Sequence, residues 1–331
     1  MSVAISEEHR LLAETANDLL RSRDARGAAR ELLEADEEAL GGWWKEVADL
    51  GWLGLHLGEE VGGSGFGLEE LVVVTEEMGR AAAPGPFVPT VIASATIDAA
   101  GNEAARALLP GLADGSTFAG ISLEAHDPGA SSLALADGKL SGRAEAVLGG
   151  GLATEFVIAV GDDLAVVEST EGVSVHVPKN LDPARRSAQV TFDGATATVM
   201  PGAAQLFVDL ARVILSAEAV GVARECTELA AEYAKEREQF GRPIAMFQAV
   251  KHHCADMAVA TELATGAVWD GARAASSGGD QLSHAASVAA TLSGPAADLC
   301  ANLNTQVHGG IAITWESDAH LYIRRAVALL E

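Results

Sequence analysis

Two stretches concentrate side chains that could grip a phosphorylated ligand. In EYAKEREQFGRPIAMFQAVKHHCADMA, residues 232–258, a helical pattern breaks at Phe240-Gly241-Arg242-Pro243. Arg237 and Phe240 fall at the end of one helical run. Gly241 is placed to stop it, Pro243 can start the next, and Gln248 lies in the first turn of that next helix. The Arg237 guanidinium offers a planar fork of donors that suits pyrophosphate, and the Gln248 amide can hydrogen-bond a ligand. The same residues also read as a capped helical hairpin with a surface arginine, and most such hairpins bind nothing. In QVHGGIAITWESDAHLYIRR, Gln306 and His308 precede Gly309-Gly310. A helix C-cap and loop explains Gly309. The second glycine allows the backbone to approach another surface closely.

A third chemical signal is a lone carboxylate. Glu218 sits within VILSAEAVGVA, an otherwise apolar helical run. Burying it is costly unless it is paired, so it is either a site residue or a buried acid bonded to an arginine or to backbone. Two other motifs have simpler explanations. GGSGFG, residues 62–67, lacks the βαβ surroundings of a dinucleotide loop and reads as a glycine-rich interhelical loop. In KHHCADM, His252 and Asp256 share a helix face, but a zinc site needs a third ligand. Helix-surface polarity accounts for them.

Composition narrows the classes of partner. The chain has 331 residues, 49% of them hydrophobic, with 22 basic and 47 acidic side chains and a net charge of −25. This disfavours nucleic acid, whose phosphates need clustered Lys and Arg. Cys226, Cys254 and Cys300 lie far apart with no metal or redox spacing, which fits a reducing cytoplasm. The N-terminus shows neither a basic start nor a continuous apolar run, so neither a signal peptide nor membrane insertion is expected.

The elements that must position these residues fall into three segments. Residues 1–112 read as a helical domain. It starts with an apolar stripe, Leu12, Ala16, Leu19 and Leu20, behind a Ser6 cap, and Pro84, Pro86 and Pro89 break the chain before a further Ala-rich helix. Residues 113–203 change to short alternating runs, with a hairpin turn expected at Asp137-Gly138. Residues 204–331 return to long Ala-rich helices, over 204–238, 245–276 and 281–305, with a last one beginning near Ser317. The fold class expected is α+β and mostly α: an N-terminal helical domain, a small central β-barrel-like domain and a C-terminal four-helix bundle. That order excludes a Rossmann or barrel enzyme.

Together, EYAKEREQFGRPIAMFQAVKHHCADMA, QVHGGIAITWES and EEVGGSGFGLEELVVVTEEMGRAAAP resemble the acyl-CoA dehydrogenase family over nearly the whole chain. The resemblance implies FAD held at a subunit interface. Arg237 would contact the pyrophosphate, Phe240 and Gln248 would help hold the dinucleotide, and Gln306, Gly309 and Gly310 would supply a second contact segment. It implies α,β-dehydrogenation of an acyl-CoA thioester, with an electron-transfer flavoprotein as acceptor. It also implies Arg212 as a substrate-binding residue.

The chain departs from the family pattern at named places. A Thr-Glu-Pro and Gly-Ser-Asp segment is replaced by GISLEAHDPGASS, which keeps Glu124, and GRAEAVLGGG stands where a Trp-Ile-Thr or Trp-Ile-Ser segment belongs. Of the family's two catalytic-base positions, one lies beyond any alignment with Glu331. The other is a Glu before an arginine, and here that dipeptide is Ala211-Arg212. Glu218, two helical turns further on, is the substitute base that the sequence offers. These departures, with NLDPARRSAQVTF, resemble the short subunits of bacterial α2β2 acyl-CoA dehydrogenases acting on steroid CoA thioesters. The expectation is a subunit of a hetero-oligomer. The alternatives are a non-catalytic partner that completes another chain's FAD site, and a self-sufficient homotetramer.

Overall fold

The computed structural model describes residues 5–124, 132–278 and 280–330. Seven helices come first: α1 (Glu7–Ser22), α2 (Ala25–Glu31), α3 (Trp44–Asp49), α4 (Leu68–Arg80), α5 (Phe87–Ala100), α6 (Glu103–Arg106) and α7 (Leu109–Ala113). Eight strands follow: β1 (Ala119–Ser122), β2 (Ala134–Ala136), β3 (Lys139–Leu148), β4 (Glu155–Val160), β5 (Asp163–Glu168), β6 (Val173–His176), β7 (Ser187–Thr196) and β8 (Thr198–Met200). The chain then forms α8 (Ala204–Glu236), a two-strand hairpin β9 (Glu238–Gln239) and β10 (Arg242–Pro243), α9 (Gln248–Ser277), α10 (Leu282–His308) and α11 (Ala319–Ala328). This is the mostly helical α+β order expected. Among the described residues no helix is long and apolar enough to cross a membrane. The chain divides into two compact units, one of residues up to 29, 72–83 and from 212 on, the other of residues 30–71 and 84–211.

In the second unit the strands form one mixed sheet in the order β6-β7-β3-β1-β4-β5-β8, with β2 beside β3. All pairs are antiparallel except β1 with β4. The expected hairpin turn is present. Ala136 pairs with Lys139, and Asp137 and Gly138 between them have φ of 52° and 70°, as a two-residue primed turn requires. The inner face carries Leu140, Ala144, Val147, Ile158 and Val190, around a T-shaped Phe156–Phe192 pair with centroids 6.0 Å apart. Pro89 does not break the chain as expected. It is the third residue of α5, inside the first turn, where a missing N–H leaves no helical bond unmade.

In the first unit, α1 starts as the sequence predicts. Ser6 Oγ accepts from the His9 amide at 3.2 Å, and Ala16 and Leu20 of the stripe are buried. The α4 and α8 backbones cross at two glycines. A Cβ on Gly79 would lie 2.1 Å from the Glu218 carbonyl oxygen, and one on Gly221 would lie 2.0 Å from that of Glu76. Only hydrogen at both positions permits this approach. Helix α11 then covers the end of α4. The Tyr322 hydroxyl donates to the Arg80 carbonyl at 2.7 Å, and Arg325 reaches the Ala82 and Ala83 carbonyls at 3.4 Å. The Arg80 carbonyl is a helix-end acceptor with no partner within α4, and the other two belong to the turn just beyond it.

Candidate functional site

The sequence-named residues of the first dense stretch lie where α8 ends and α9 begins, but not as a capped helical hairpin. Helix α8 stops at Glu236, and the Arg237 amide still donates to Tyr233 O at 2.8 Å. The chain then makes a minimal β-hairpin in which Arg242 pairs with Gln239 and Pro243 with Glu238. Its two turn residues are Phe240 and Gly241, with φ of 56° and 77°. Gly241 is therefore not a helix stop, and Pro243 begins a short 3-10 turn rather than α9. Both functions of glycine need positive φ, so the residue type alone does not separate them. Phenylalanine at positive φ is unfavourable and needs support from its surroundings. That support is Phe247, the N-cap of α9. Its ring meets the Phe240 ring edge-on at 6.1 Å, and the Arg242 guanidinium lies 4.4 Å from its centroid.

Arg237, Gln248 and Gln306 are all exposed, and none of the three has a side-chain partner among the described residues. Gln248 is the first residue of α9, as expected. Phe240 is 92% exposed. Helix α10 ends at His308, and Gly309, with φ 63°, caps it. A Cβ on Gly309 or Gly310 would meet nothing within 4 Å, so the turn faces open space.

The two stretches are brought together. The rings of Tyr233 and His308 stack with centroids 4.2 Å apart and planes 22° apart. His308 Nδ1 donates to the Asn304 carbonyl at 2.9 Å, which fixes the tautomer because a carbonyl can only accept. Tyr233 was not among the residues singled out from the sequence. The available signal was its position one turn before Arg237, as one of only two tyrosines in the chain.

This donor set fits a dinucleotide. The ends of α8 and α10 present carbonyls, the negative poles of their helices, so an anion held there needs a compensating cation. Arg237 supplies an uncommitted guanidinium, Gln248 and Gln306 supply amides, and the Gly309-Gly310 turn leaves room for close approach.

The carboxylate candidate is placed differently. Glu218 Oε1 accepts from Arg325 at 2.6 Å, and both side chains are 1% exposed. This is the arrangement of a buried acid bonded to an arginine, the structural alternative to a catalytic base at Glu218. A general base must reach a substrate proton, whereas here the acid is buried in the core against its cation. Arg212 is half-buried and reaches Ser287 Oγ on α10 at 3.4 Å. Two clefts in the same unit, of about 570 and 510 Å³, are lined by neither Glu218 nor any sequence-named ligand residue. Several charged groups of the larger one are paired with each other, as in Arg26–Glu225 at 2.6 Å and Arg80–Glu225 at 3.2 Å.

In the second unit the glycine loop is spent on structure. The amides of Ser64, Gly65 and Phe66 donate to the carbonyls of Gly54, Leu57 and Leu55, so they are not available to phosphate. His252 and Asp256 are exposed, and no group of three or more metal-ligating side chains occurs among the described residues. Glu124 Oε2 accepts from the Glu145 amide at 2.7 Å, while residues 125–131 of GISLEAHDPGASS lie outside the described residues, as does Glu331. GRAEAVLGGG forms most of β3 and its exit turn, with the Gly149 amide bonded to Arg186 O at 2.9 Å.

In chain order a mixed sheet follows one set of helices and precedes another, which defines a mostly helical α+β class. Residues 6–116 match the family profile described as acyl-CoA dehydrogenase, N-terminal domain, and residues 202–329 that of acyl-CoA dehydrogenase, C-terminal domain. Acyl-CoA dehydrogenase IpdE2 of Mycobacterium tuberculosis is 33% identical over 321 residues, 97% of this chain and 91% of IpdE2. Acyl-CoA dehydrogenase FadE34 of the same organism is 39% identical over 311 residues, 91% of this chain, so the chain spans only 42% of FadE34. The solved structure of a Tcur3481-Tcur3483 steroid ACAD variant matches with a TM-score of 0.91 and 30% identity, covering 98% of this chain and 93% of that one. The chain belongs to the acyl-CoA dehydrogenase family.

Proposed function

We propose that this chain is a subunit of an FAD-dependent acyl-CoA dehydrogenase assembled from two related chains, acting on an acyl-CoA thioester of the steroid side-chain type. The observation that carries the reading is the gathering of Arg237, Gln248, Gln306 and Gly309-Gly310 at the ends of α8, α9 and α10, exposed and uncommitted. In this reading Arg237 grips the FAD pyrophosphate, while Phe240 and Gln248 hold the dinucleotide beside it. Gln306 with the Gly309-Gly310 turn holds it from the second side. Arg212 serves the substrate. Bound FAD supplies a hydride acceptor for the β-carbon of the thioester, and an electron-transfer flavoprotein then takes the electrons. The steroid assignment draws on the Tcur3481-Tcur3483 protein, named as a steroid ACAD.

A second reading is favoured by one specific observation. Glu218 is paired with Arg325, and Ala211 rather than a Glu stands before Arg212, which supports a chain without its own base. The chain would then complete the FAD site of a catalytic partner and abstract no proton itself. The visible spectrum of this chain, purified alone from cells supplying FAD, tests both. A colourless folded protein that gains flavin absorbance with a related chain supports the two-chain assembly. Stoichiometric flavin on this chain alone overturns it in favour of a homotetramer. Turnover of acyl-CoA by the reconstituted assembly then separates a catalytic subunit from a partner.

A further inference from the structure

We propose that the Tyr233–His308 stack is a brace that fixes the two cofactor-facing segments, residues 237–243 and 309–313, relative to each other. His308 is then a positioning residue of the site. The inference rests on the dinucleotide reading for its purpose, though not for its geometry. Tyr233 stands one helical turn before Arg237, and His308 directly precedes Gly309. Their rings meet at 4.2 Å, joining the last turns of α8 and α10 immediately before each chain leaves its helix.

The need for such a brace follows from what comes after it. Helix ends fray, since their last carbonyls lack helical partners. Beyond α8 stands a hairpin of two-residue strands with an exposed Phe240 at its turn. Beyond α10 stand two glycines with open space around them. A ligand held from both sides gains affinity only if the two segments are already in register, because ordering them on binding costs free energy. The bond from His308 Nδ1 to Asn304 O lies within α10, at the ring edge, while the contact to Tyr233 is made by the ring face. The ring's shape therefore carries the role, and a phenyl ring of similar size can replace it.

The test is amide hydrogen exchange on the intact chain. His308→Ala is expected to speed exchange at 309–313 and also across the stack at 237–243, by about two- to tenfold, the factor set by one aromatic pair. His308→Phe is expected to restore both segments. Tyr233→Leu should act like His308→Ala, with the double variant no worse than either single one. A change confined to 309–313, or His308→Phe exchanging as fast as His308→Ala, overturns the brace. In the flavin-loaded assembly the FAD dissociation constant should rise by a similar factor in His308→Ala and return in His308→Phe. If the unmodified assembly binds no FAD, the cofactor reading fails while the exchange data still decide the brace.

Discussion

Glu218 on α8 and Arg325 on α11 face each other at 2.6 Å in the core of the first unit, each 1% exposed. The same guanidinium caps the Ala82 and Ala83 carbonyls beyond α4. One cation thus serves an acid and the turn after a helix at once. Removing either partner leaves a charge in a place water cannot reach. Arg325→Met is expected to cost about 3–5 kcal/mol. The double replacement Glu218→Leu with Arg325→Met should recover most of that loss, since no isolated charge remains. Urea denaturation of the parent protein and the two variants checks this. A double variant as unstable as Arg325→Met would show that the carbonyl caps, and not the pair, carry the effect.

The glycine crossing predicts a contrast between residues of one type. Gly79→Ala and Gly221→Ala each drive a methyl to about 2 Å from a backbone oxygen on the opposing helix. Backbone cannot rotate aside as a side chain can, so each should lose about 1–3 kcal/mol or more. Gly266, inside α9, has nothing within 4 Å of its would-be Cβ. Gly266→Ala should instead stabilise by about 0.5–1 kcal/mol through helix propensity. Thermal unfolding of the three variants decides, and equal effects would exclude the close crossing.

The long helices were legible because their signals are local. Helical spacing over 204–238, 245–276 and 281–305 predicts α8, α9 and α10 to within three residues at every end. The same holds for the Asp137-Gly138 turn. The Phe240-Gly241 hairpin was not legible, since Gly241 has positive φ in both alternatives and only Phe240 at φ 56° separates them. Glu218 read as an acid in need of a partner, but which arginine answers it depends on packing between residues 107 apart. The Tyr233–His308 stack fails to show in sequence for the same reason.

A pH dependence arises in the sheet of the second unit. Glu155 on β4 is 8% exposed and stands directly across from Glu168 on β5. Burial, reinforced by the neighbouring Glu168 carboxylate, pushes its carboxyl from 4.5 up to about 7. The folded state therefore binds this proton more tightly than the unfolded state. The stabilisation is complete below pH 4.5 and is lost as pH rises through about 7. Glu155→Gln should match the parent protein at acid pH and exceed it by about 3 kcal/mol at pH 8. Unfolding midpoints measured across that range check the sign. A constant difference at every pH would remove Glu155 as the cause.

Arg237 provides the direct test of the cofactor site, because its structural role is slight. The side chain is exposed with no partner among the described residues, so Arg237→Ala should leave the unfolding midpoint within error. Its expected loss lies in binding. A charge-assisted contact to pyrophosphate is worth about 1.5–3 kcal/mol, which is roughly a ten- to hundredfold rise in the FAD dissociation constant of the assembled oligomer. Arg237→Lys keeps the charge but not the planar fork, so it should recover only part of the affinity. Flavin fluorescence titration of the parent protein and the two variants reads the difference. Full affinity in Arg237→Ala would place the pyrophosphate elsewhere and leave the hairpin a purely structural turn.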